Sequence, residues 1–525
     1  MTSDPPARTT ATTTATPIAS GRPPAAVFGG ILVALSVAAI SQTFVSTALP
    51  TMVGDLGGFD GLSWIVTSYM LASTIVVPFA GKLADLYGTH RLFQFVIVTF
   101  AAGSIVCARS NGVEMLIAGR VLQGFGSGAI LTLSFTLVAR LVAPRERGRY
   151  QGYISAVFTI ANVAGPVVGG FFVDHLSWRW LFYATAAIAG AALVVVRLSL
   201  PRDLKRSSVP LDLVGSGLLV VSLLALMLAT TWGGQRIGWT SPVMLALAVV
   251  FAVGTVLFVR AERVAAEPVM PIDMFRDRSV MVATILGFLT GMAMTVVITY
   301  GPSFVQLALG ASATESGLVL MPLMICVTIA TTAGGKLMSR SGQYRSTAIT
   351  GALTLALGTG LLATMTSTTA LYMPSIAVGL AGVGIGLTTP AHMIAVQNTV
   401  DGDRLGAATS LTQFTRKIGS TIGVAVAGGL FTATTASRLR DAGALADGES
   451  LSELLDSPER IETLPAATEQ VVRESVASGA TALFVLTFVA AAVSFALSFR
   501  LPRVQLEGAE ASEVAGVSPS ATASS

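Results

Sequence analysis

The stretch Gly81-Lys82-Leu83-Ala84-Asp85-Leu86-Tyr87-Gly88-Thr89-His90-Arg91 follows a long apolar run and returns, in part, 254 residues later. The second copy keeps the two glycines, the lysine, the leucine and the arginine at the same spacing, as Gly335-Lys336-Leu337, Gly342 and Arg345. The same offset carries Gly165-x3-Gly169 onto Gly419-x3-Gly423. A chain of apolar segments that is duplicated at a fixed offset is typical of membrane proteins with two related halves.

The composition excludes a water-soluble domain. Hydrophobic residues make up 53% of the 525 residues and charged residues only 11%, whereas a soluble domain carries about 25% charge. The net charge of +4 does not indicate a nucleic-acid partner. The two cysteines lie inside apolar runs and the three histidines are scattered, so we predict no disulfide framework, no metal and no cofactor.

Apolar runs of about 20 residues are long enough to cross a bilayer as helices. By that measure the sequence predicts an all-α integral membrane protein with fourteen spans. They are 27–49, 63–81, 92–108, 113–138, 151–173, 180–196, 213–231, 241–259, 279–304, 316–335, 347–366, 370–397, 405–432 and 479–499.

The distribution of lysine and arginine predicts the orientation. If the N-terminus is cytoplasmic, the six short inner loops hold 18 of these residues and the six short outer loops hold three. Cytoplasmic loops of membrane proteins are enriched in positive charge. We therefore expect a multi-pass protein of the cell membrane with both termini cytoplasmic.

The 254-residue offset aligns spans 1–6 with spans 9–14 and leaves spans 7 and 8 between them. We predict a disordered tail at 1–26, a six-helix bundle at 27–199, two inserted spans with their loops at 200–278, a second six-helix bundle at 279–500, and a disordered tail at 501–525. An acidic outer segment at 435–478 is predicted as either a short amphipathic helix or a solvated spacer.

The turn between spans 2 and 3 carries a candidate gate. Gly81 and Gly88 allow a tight turn and a close helix approach. Asp85 can accept hydrogen bonds from a helix N-terminus, or pair with an arginine, in one conformation only. Arg91 completes the motif. The second copy has Ser339 where the first has Asp85, so we expect the second gate to be degenerate.

Spans 4 and 5 carry two further patterns. Arg120, followed by Gln123, lies about seven residues inside span 4, where an arginine must face a cavity or a partner. The alternative is an interfacial arginine that snorkels to water. Span 5 contains small residues that allow close packing and a proline that allows a kink: Gly152-x8-Ala161-x3-Gly165-Pro166-x2-Gly169-Gly170.

These motifs resemble the major facilitator superfamily, and within it the fourteen-span drug:proton antiporter family. The resemblance covers about 27–500 and implies a major facilitator fold, with two six-helix bundles plus two inserted helices (14 TM). It implies a gating role for the Asp85 motif and a role in proton coupling or helix gating for Arg120 with Gln123. The span-5 pattern resembles the signature that separates exporters from importers.

One departure from the family concerns span 1. The family usually has an aspartate where this chain has Ser41, and a hydroxyl does not ionise near pH 7. No acidic residue lies deep inside any predicted span. A terminal carboxylate such as Asp85, Glu114 or Glu315 could carry the proton instead, and a neutral or anionic substrate would fit an acid-free cavity.

The resemblance favours proton-coupled efflux of amphipathic drugs by alternating access, with small molecules, protons and the lipid bilayer as partners. It implies that a monomer is the working unit. The alternative is a dedicated exporter or facilitator of one metabolite or antibiotic. A membrane enzyme lacks a catalytic cluster here, a receptor derived from a transporter is a minor alternative, and no ATP-binding loop is present.

Polar and aromatic residues placed within the spans are candidates for the substrate cavity: Ser41, Gln42, Trp64, Tyr69, Phe158, Asn162, Tyr300, Gln306 and His392. Arg416-Lys417 in span 13 either lines the cavity or marks the true membrane boundary. If the pair lines the cavity, an anionic substrate group is favoured.

Overall fold

The computed structural model describes residues 24–56, 62–200, 212–233, 237–238, 241–265, 268–443 and 465–505. Within these ranges the chain forms fourteen long α-helices. They are α1 (Pro24–Leu56), α2 (Leu62–Tyr87), α3 (Thr89–Ala108), α4 (Val113–Leu141), α5 (Arg147–His175), α6 (Trp178–Ser199), α7 (Leu213–Trp232), α8 (Pro242–Val264), α9 (Arg278–Ser303), α10 (Ala313–Ser341), α11 (Arg345–Ala363), α12 (Tyr372–Gln397), α13 (Leu405–Asp441) and α14 (Ala466–Ser498).

Thirteen of these helices are long and apolar enough to cross a membrane. The remaining one, α5, has 29 residues, but the side chains of four residues inside it lie outside the described set. A lipid-facing helix satisfies all of its backbone hydrogen bonds internally, which is why apolar runs of this length fold as they do. The predicted all-α membrane fold is confirmed.

Polar caps fix where several helices begin. Asp212 accepts hydrogen bonds from the backbone of Val214 and Gly215 at the start of α7. At the start of α10, the Ser312 side chain accepts from the Glu315 backbone while the Glu315 carboxylate accepts in return from Ser312. This reciprocal pair is a capping box, so Glu315 already has a structural role.

Helix continues into both ends of the segment that was predicted as an outer loop at 435–478. The helix α13 runs to Asp441, and α14 begins at Ala466. The middle of that segment, 444–464, lies outside the described residues, as do the tails at 1–23 and 506–525.

The helices pack as two groups. In the first, α1 packs on α5 and α6, α2 packs on α4, and α3 packs on α4 and α6. In the second, α10 packs on α12, α11 packs on α12 and α14, and α9 packs on α13 and α14. The remaining helices, α7 and α8, pack on each other, and α7 also contacts α2 and α13.

Two seams join the groups. The first seam lies between α2 and α13, and the second lies between α5 and α10. We call the end of the bundle where α2 stops and α3 starts the α2–α3 end. The start of α13 lies there beside Asp85, and the loop before α5 lies there beside the end of α10.

Candidate functional site

Glycines bring the two helices of the first seam into backbone contact at the α2–α3 end. A Cβ atom on Gly81 would overlap the backbone carbonyl of Gly406 and the hydroxyl of Ser410. A Cβ atom on Gly406 would in turn overlap the carbonyl of Gly81 and the carboxylate of Asp85. Any larger side chain at Gly81 would therefore force α2 and α13 apart.

Asp85 locks this contact. Its carboxylate accepts hydrogen bonds from the backbone N–H of Gly406 at 3.0 Å and of Ala407 at 2.9 Å. Arg140, at the end of α4, donates to the same carboxylate at 2.6 Å, and the Asp85 side chain is only 8% exposed. The first N–H groups of a helix have no acceptor within the helix, and they favour a negative charge. Asp85 thus ties α2 to α4 and, across the seam, to α13.

The second seam is equally close but uses different chemistry. A Cβ atom on Gly335 would overlap the backbone of Gly148, and one on Gly152 would approach Thr332 to 2.9 Å. Ser339, at the position equivalent to Asp85, contributes its backbone carbonyl, which accepts a hydrogen bond from Arg145. No carboxylate caps α5 from position 339, so the two copies of the motif differ in charge.

The remaining motif positions have separate roles. Gly88, just before α3, has a φ of 91°, and Gly342, just after α10, has a φ of 68°. Both angles favour glycine. Arg91 is exposed and lines a shallow cavity of about 370 Å³ together with Arg197. The arginine that pairs with Asp85 is therefore Arg140, not Arg91.

The residue before Arg345 in the second copy belongs to the core. Tyr344 is 2% exposed. Burial raises the pKa of its hydroxyl to about 12, so this group remains neutral at physiological pH.

Arg120 is at the centre of a buried polar cluster in the first group of helices. It is 1% exposed, and its guanidinium lies 4.0 Å from the centre of the Tyr69 ring. It donates to the side-chain oxygen of Gln123 at 2.9 Å and to the backbone oxygen of Ile65 at 3.3 Å. This environment is a set of neutral acceptors and an aromatic face. The snorkelling alternative is excluded, because the side chain is enclosed by protein.

Ser41 belongs to this cluster. Its hydroxyl and its backbone carbonyl each lie 3.5 Å from Nη1 of Arg120, and the residue is fully buried. A carboxylate at position 41 would face the guanidinium directly. Because a serine stands there, the positive charge of Arg120 has no anionic partner within the described part of the chain.

The cluster continues through neighbouring hydroxyl and thiol groups. The amide of Gln123 donates to Ser104 at 2.7 Å, and the Cys107 thiol lies 3.7 Å from the Gln123 oxygen. The Tyr69 hydroxyl donates to Ser127 at 2.6 Å. Sequence reasoning did not identify Ser104 or Ser127, because serines in apolar helices usually bond only to their own backbone.

The other cavity candidates do not join the Arg120 cluster. Trp64 stacks edge-on against Trp232 of α7, with ring centres 6.0 Å apart. The Tyr300 hydroxyl donates to the backbone of Val424 at 3.3 Å, and the Gln306 amide donates to Ser316 at 2.8 Å. Phe158 packs against the core of the first group, Gln42 is exposed, and His392 is buried at 2% exposure on α12.

The glycines of the span-5 pattern lie against two different helices: Gly152 against α10 and Gly165 against α1. Gly165 faces Thr43 of α1, Gly169 is buried, and Gly170 has open space around it. The side chains of Asn162 and Pro166 lie outside the described residues.

Arg416 and Lys417 lie deep in the bundle. Lys417 is twelve residues beyond Leu405, where α13 begins, which is about 18 Å at 1.5 Å per residue. Its ammonium donates across the first seam to the backbone oxygen of Ser73 at 3.0 Å and to the Ser73 hydroxyl at 3.2 Å. Arg416 donates to Gln413 at 2.8 Å. Three helical turns separate the pair from the start of the helix, and Lys417 contacts the first group, which favours the interpretation that the pair lines the cavity; its position relative to the membrane stays a prediction.

Comparison with known proteins agrees with this architecture. The family model described as Major Facilitator Superfamily matches residues 31–424. An uncharacterized MFS-type transporter of Mycobacterium tuberculosis (strain H37Rv) is 36% identical over 91% of this chain and 70% of that protein. The multidrug transporter protein MdtP of Bacillus subtilis is 34% identical over 78% of this chain and 76% of that protein.

Solved structures share the fold. The proton:xylose symporter XylE superposes with a TM-score of 0.59 at 12% identity, covering 93% of this chain and 98% of that one. The human organic anion transporter MFSD10 superposes with a TM-score of 0.58 at 15% identity, covering 90% of this chain and 100% of that one. With the fourteen-helix fold and the two glycine seams, these matches lead to one conclusion. The chain is a multi-pass membrane transporter, not an enzyme, and it belongs to the Major Facilitator Superfamily.

Proposed function

We propose that this protein exports amphipathic organic molecules across the cell membrane by proton-coupled alternating access. Both termini would be cytoplasmic, and a monomer would be the working unit. The two moving bodies would be the bundles at 27–199 and 279–500, with the segment 200–278 beside them. The observation that supports this proposal most directly is that the Asp85 carboxylate closes the first seam by accepting hydrogen bonds from Gly406 and Ala407.

Alternating access requires that the contact at one end breaks when that end opens. The hydrogen bonds between the two groups of described helices lie between the α2–α3 end and mid-depth: Asp85 to α13, Arg145 to Ser339, Arg147 to Asn398, Lys417 to Ser73, and Thr159 to Thr328. The structure is thus closed at the α2–α3 end. If that end is cytoplasmic, this conformation is closed to the cytoplasm.

Asp85 also supplies a route to proton coupling. The ionised carboxylate accepts two backbone N–H groups and binds Arg140 at once, whereas a protonated acid has less acceptor capacity and no charge. Protonation would weaken the lock, and opening of the seam would expose the carboxylate to protons. By linkage, proton uptake and opening at this end favour each other. The Arg120–Gln123 cluster would transmit the change through α4, which also carries Arg140.

The substrate class is inferred from relatives. MdtP and multidrug resistance protein 3 of Bacillus subtilis are named for multidrug transport or resistance. A dedicated exporter of one compound is the second candidate. It is supported by the neutral surroundings of Arg120, because Ser41 replaces the acid that a cationic drug would require.

Efflux from loaded cells tests the proposal. Cells that express the wild-type chain, the Asp85→Asn variant or no transporter are loaded with three fluorescent amphiphiles, one cationic, one neutral and one anionic. We expect wild-type cells to lose at least one of them faster than the other two strains, and a proton uncoupler to abolish the difference. Equal loss of all three compounds in every strain would contradict export.

A further inference from the structure

The polar interior of the bundle contains cations without acids. Arg120, Arg416 and Lys417 lie well inside α4 and α13. Among the described residues, all but one of the acids within the long helices lie in first or last turns: Asp55, Asp85, Glu114, Asp174, Glu262, Glu315, Asp441 and Glu469. The exception is Glu474, which is exposed eight residues beyond the start of α14. A charge inside a membrane-spanning helix is costly and usually marks a substrate or ion pathway.

Lys417 is the cation best placed to meet a substrate. It projects from the second group of helices onto α2 of the first, so it bridges the two moving groups. An ammonium has three N–H donors, and Ser73 takes two of them through neutral oxygens. Ser73 lies one helical turn from Tyr69, and the Tyr69 ring contacts the guanidinium of Arg120. The two cations therefore share the same strip of α2.

These contacts are weaker than the ones an anion would make. A hydrogen bond from an ammonium to a carboxylate is roughly twice as strong as one to a neutral oxygen. When the first seam opens, Lys417 must separate from Ser73, because the two residues belong to different groups. At that moment its charge needs a new partner, and within the described part of the chain no acidic side chain contacts it.

We propose that the transported molecule carries an anionic group, such as a carboxylate, sulfonate or phosphate, and that this group replaces Ser73 as the partner of Lys417 when the seam opens. The apolar part of the molecule would lie along the aliphatic and aromatic residues of α2 and α13, among them Phe79 and Phe414. This inference rests on the proposed transport function and specifies its substrate class. Ser41 supports the same conclusion, since the position that faces Arg120 holds no carboxylate to neutralise the charge.

Three dansyl probes with the same alkyl chain test the inference. One ends in a carboxylate, one in a primary amide and one in a trimethylammonium group. Binding to the purified full chain in zwitterionic nanodiscs is measured by energy transfer from tryptophan, with empty nanodiscs as the blank. Transport of each probe is measured in vesicles of the same lipid.

We expect the carboxylate probe to bind at least tenfold more tightly than the trimethylammonium probe. Lys417→Met should reduce the affinity for the carboxylate probe about tenfold and leave the amide probe within twofold. Lys417→Arg should retain the preference, because it keeps the charge. Lys336→Met is the matched control, since Lys336 is exposed on α10, and it should change nothing.

A further variant reverses the sign of the effect. Ser41→Asp places a carboxylate opposite Arg120 and should move the preference toward the trimethylammonium probe. The inference is overturned if the wild type binds the three probes equally or prefers the cation, or if Lys417→Met does not affect the carboxylate probe. In that case, transport of any probe still supports the proposed export. If the wild type neither binds nor transports any probe, both proposals are contradicted.

Discussion

Replacement of Asp85 by asparagine should unlock the first seam. Asparagine keeps one carbonyl oxygen, so it can accept from either Gly406 or Ala407, but not from both. Gly406 and Arg140 both donate to Oδ1 of the carboxylate, so an amide oxygen at that position keeps these two contacts without the negative charge, while its NH₂ group faces the N–H of Ala407. The Ala407 contact is therefore lost and the other two become weaker.

The size of the effect follows from the type of contact. A hydrogen bond to a charged group contributes about 1.5–3 kcal/mol. The pair with Arg140 lies at the lower end, because the arginine side chain is 25% exposed and solvent screens it. Loss of the Ala407 contact and weakening of the other two should cost about 2–4 kcal/mol. A change of 1.4 kcal/mol corresponds to a tenfold change in an equilibrium constant. The equilibrium constant for opening at this end should therefore rise at least about thirtyfold.

Hydrogen–deuterium exchange measures this directly. The amides of Gly406 and Ala407 have no acceptor within α13, so their protection depends on Asp85. Amide exchange from the native state reports the free energy of local opening. We expect peptides that cover 402–412 to exchange at least tenfold faster in Asp85→Asn than in the wild type, while peptides from the core of α11 are unchanged.

Ser339→Ala is the matched control. It alters the equivalent residue of the second copy, whose contribution to the second seam is its backbone carbonyl, so exchange at 402–412 should stay at the wild-type rate. Unchanged exchange in Asp85→Asn, or equal acceleration in both variants, would refute the role of Asp85 as a lock.

Three further predictions concern the seams and the buried cluster. Gly81→Ala should reduce transport at least tenfold, because its Cβ atom would overlap the backbone of α13, whereas Gly170→Ala has open space and should stay within twofold of the wild-type rate. Ser339→Asp should supply a carboxylate beside Arg145 and the start of α5. Slower hydrogen–deuterium exchange at 147–153 would then show a second lock, whereas faster exchange there would contradict it. Arg120→Leu should lower the thermal midpoint in detergent by several degrees, because each orphaned buried acceptor costs about 1–3 kcal/mol, and a midpoint equal to that of the wild type would show that the cluster is not structural.

Sequence alone predicted the helices well. Long apolar runs have few alternatives in lipid, so thirteen helices were recovered as spans by length and composition. The largest differences in extent are at two helices: α14 begins at Ala466, thirteen residues before the predicted start at 479, and α13 continues nine residues beyond the predicted end at 432 and reaches Asp441. Its last turns contain arginines and threonines, so hydropathy gave no signal that the helix continues.

The sequence predicted the kind of contact that Asp85 makes, but not which arginine pairs with it. The motif indicated that Asp85 would cap a helix or bind an arginine, and the structure shows both contacts. The choice of Arg140 over Arg91 depends on how α4 packs against α2, which local sequence does not encode. For the same reason, residue type placed Tyr300 and Gln306 among the cavity candidates, whereas their polar atoms are bonded within the second group of helices.

Local sequence also failed to show that Lys417 lies well inside its helix. Its position in an apolar run was compatible with a membrane boundary, because long cationic side chains can reach water from a helix end. The start of α13 at Leu405, fixed by its contact with Asp85, shows how far inside the helix the lysine lies.

Gradient-driven accumulation in reconstituted vesicles tests the central claim most directly. Vesicles with an acidic interior, containing either the wild-type chain or Asp85→Asn, are given a fluorescent amphiphile that the wild-type protein binds. The wild type should accumulate the probe against its concentration gradient, and an uncoupler should abolish the accumulation. The variant should still bind the probe but only equilibrate it, because its seam does not stay closed. Equal accumulation by the variant, or none by the wild type, would contradict export gated by the Asp85 lock.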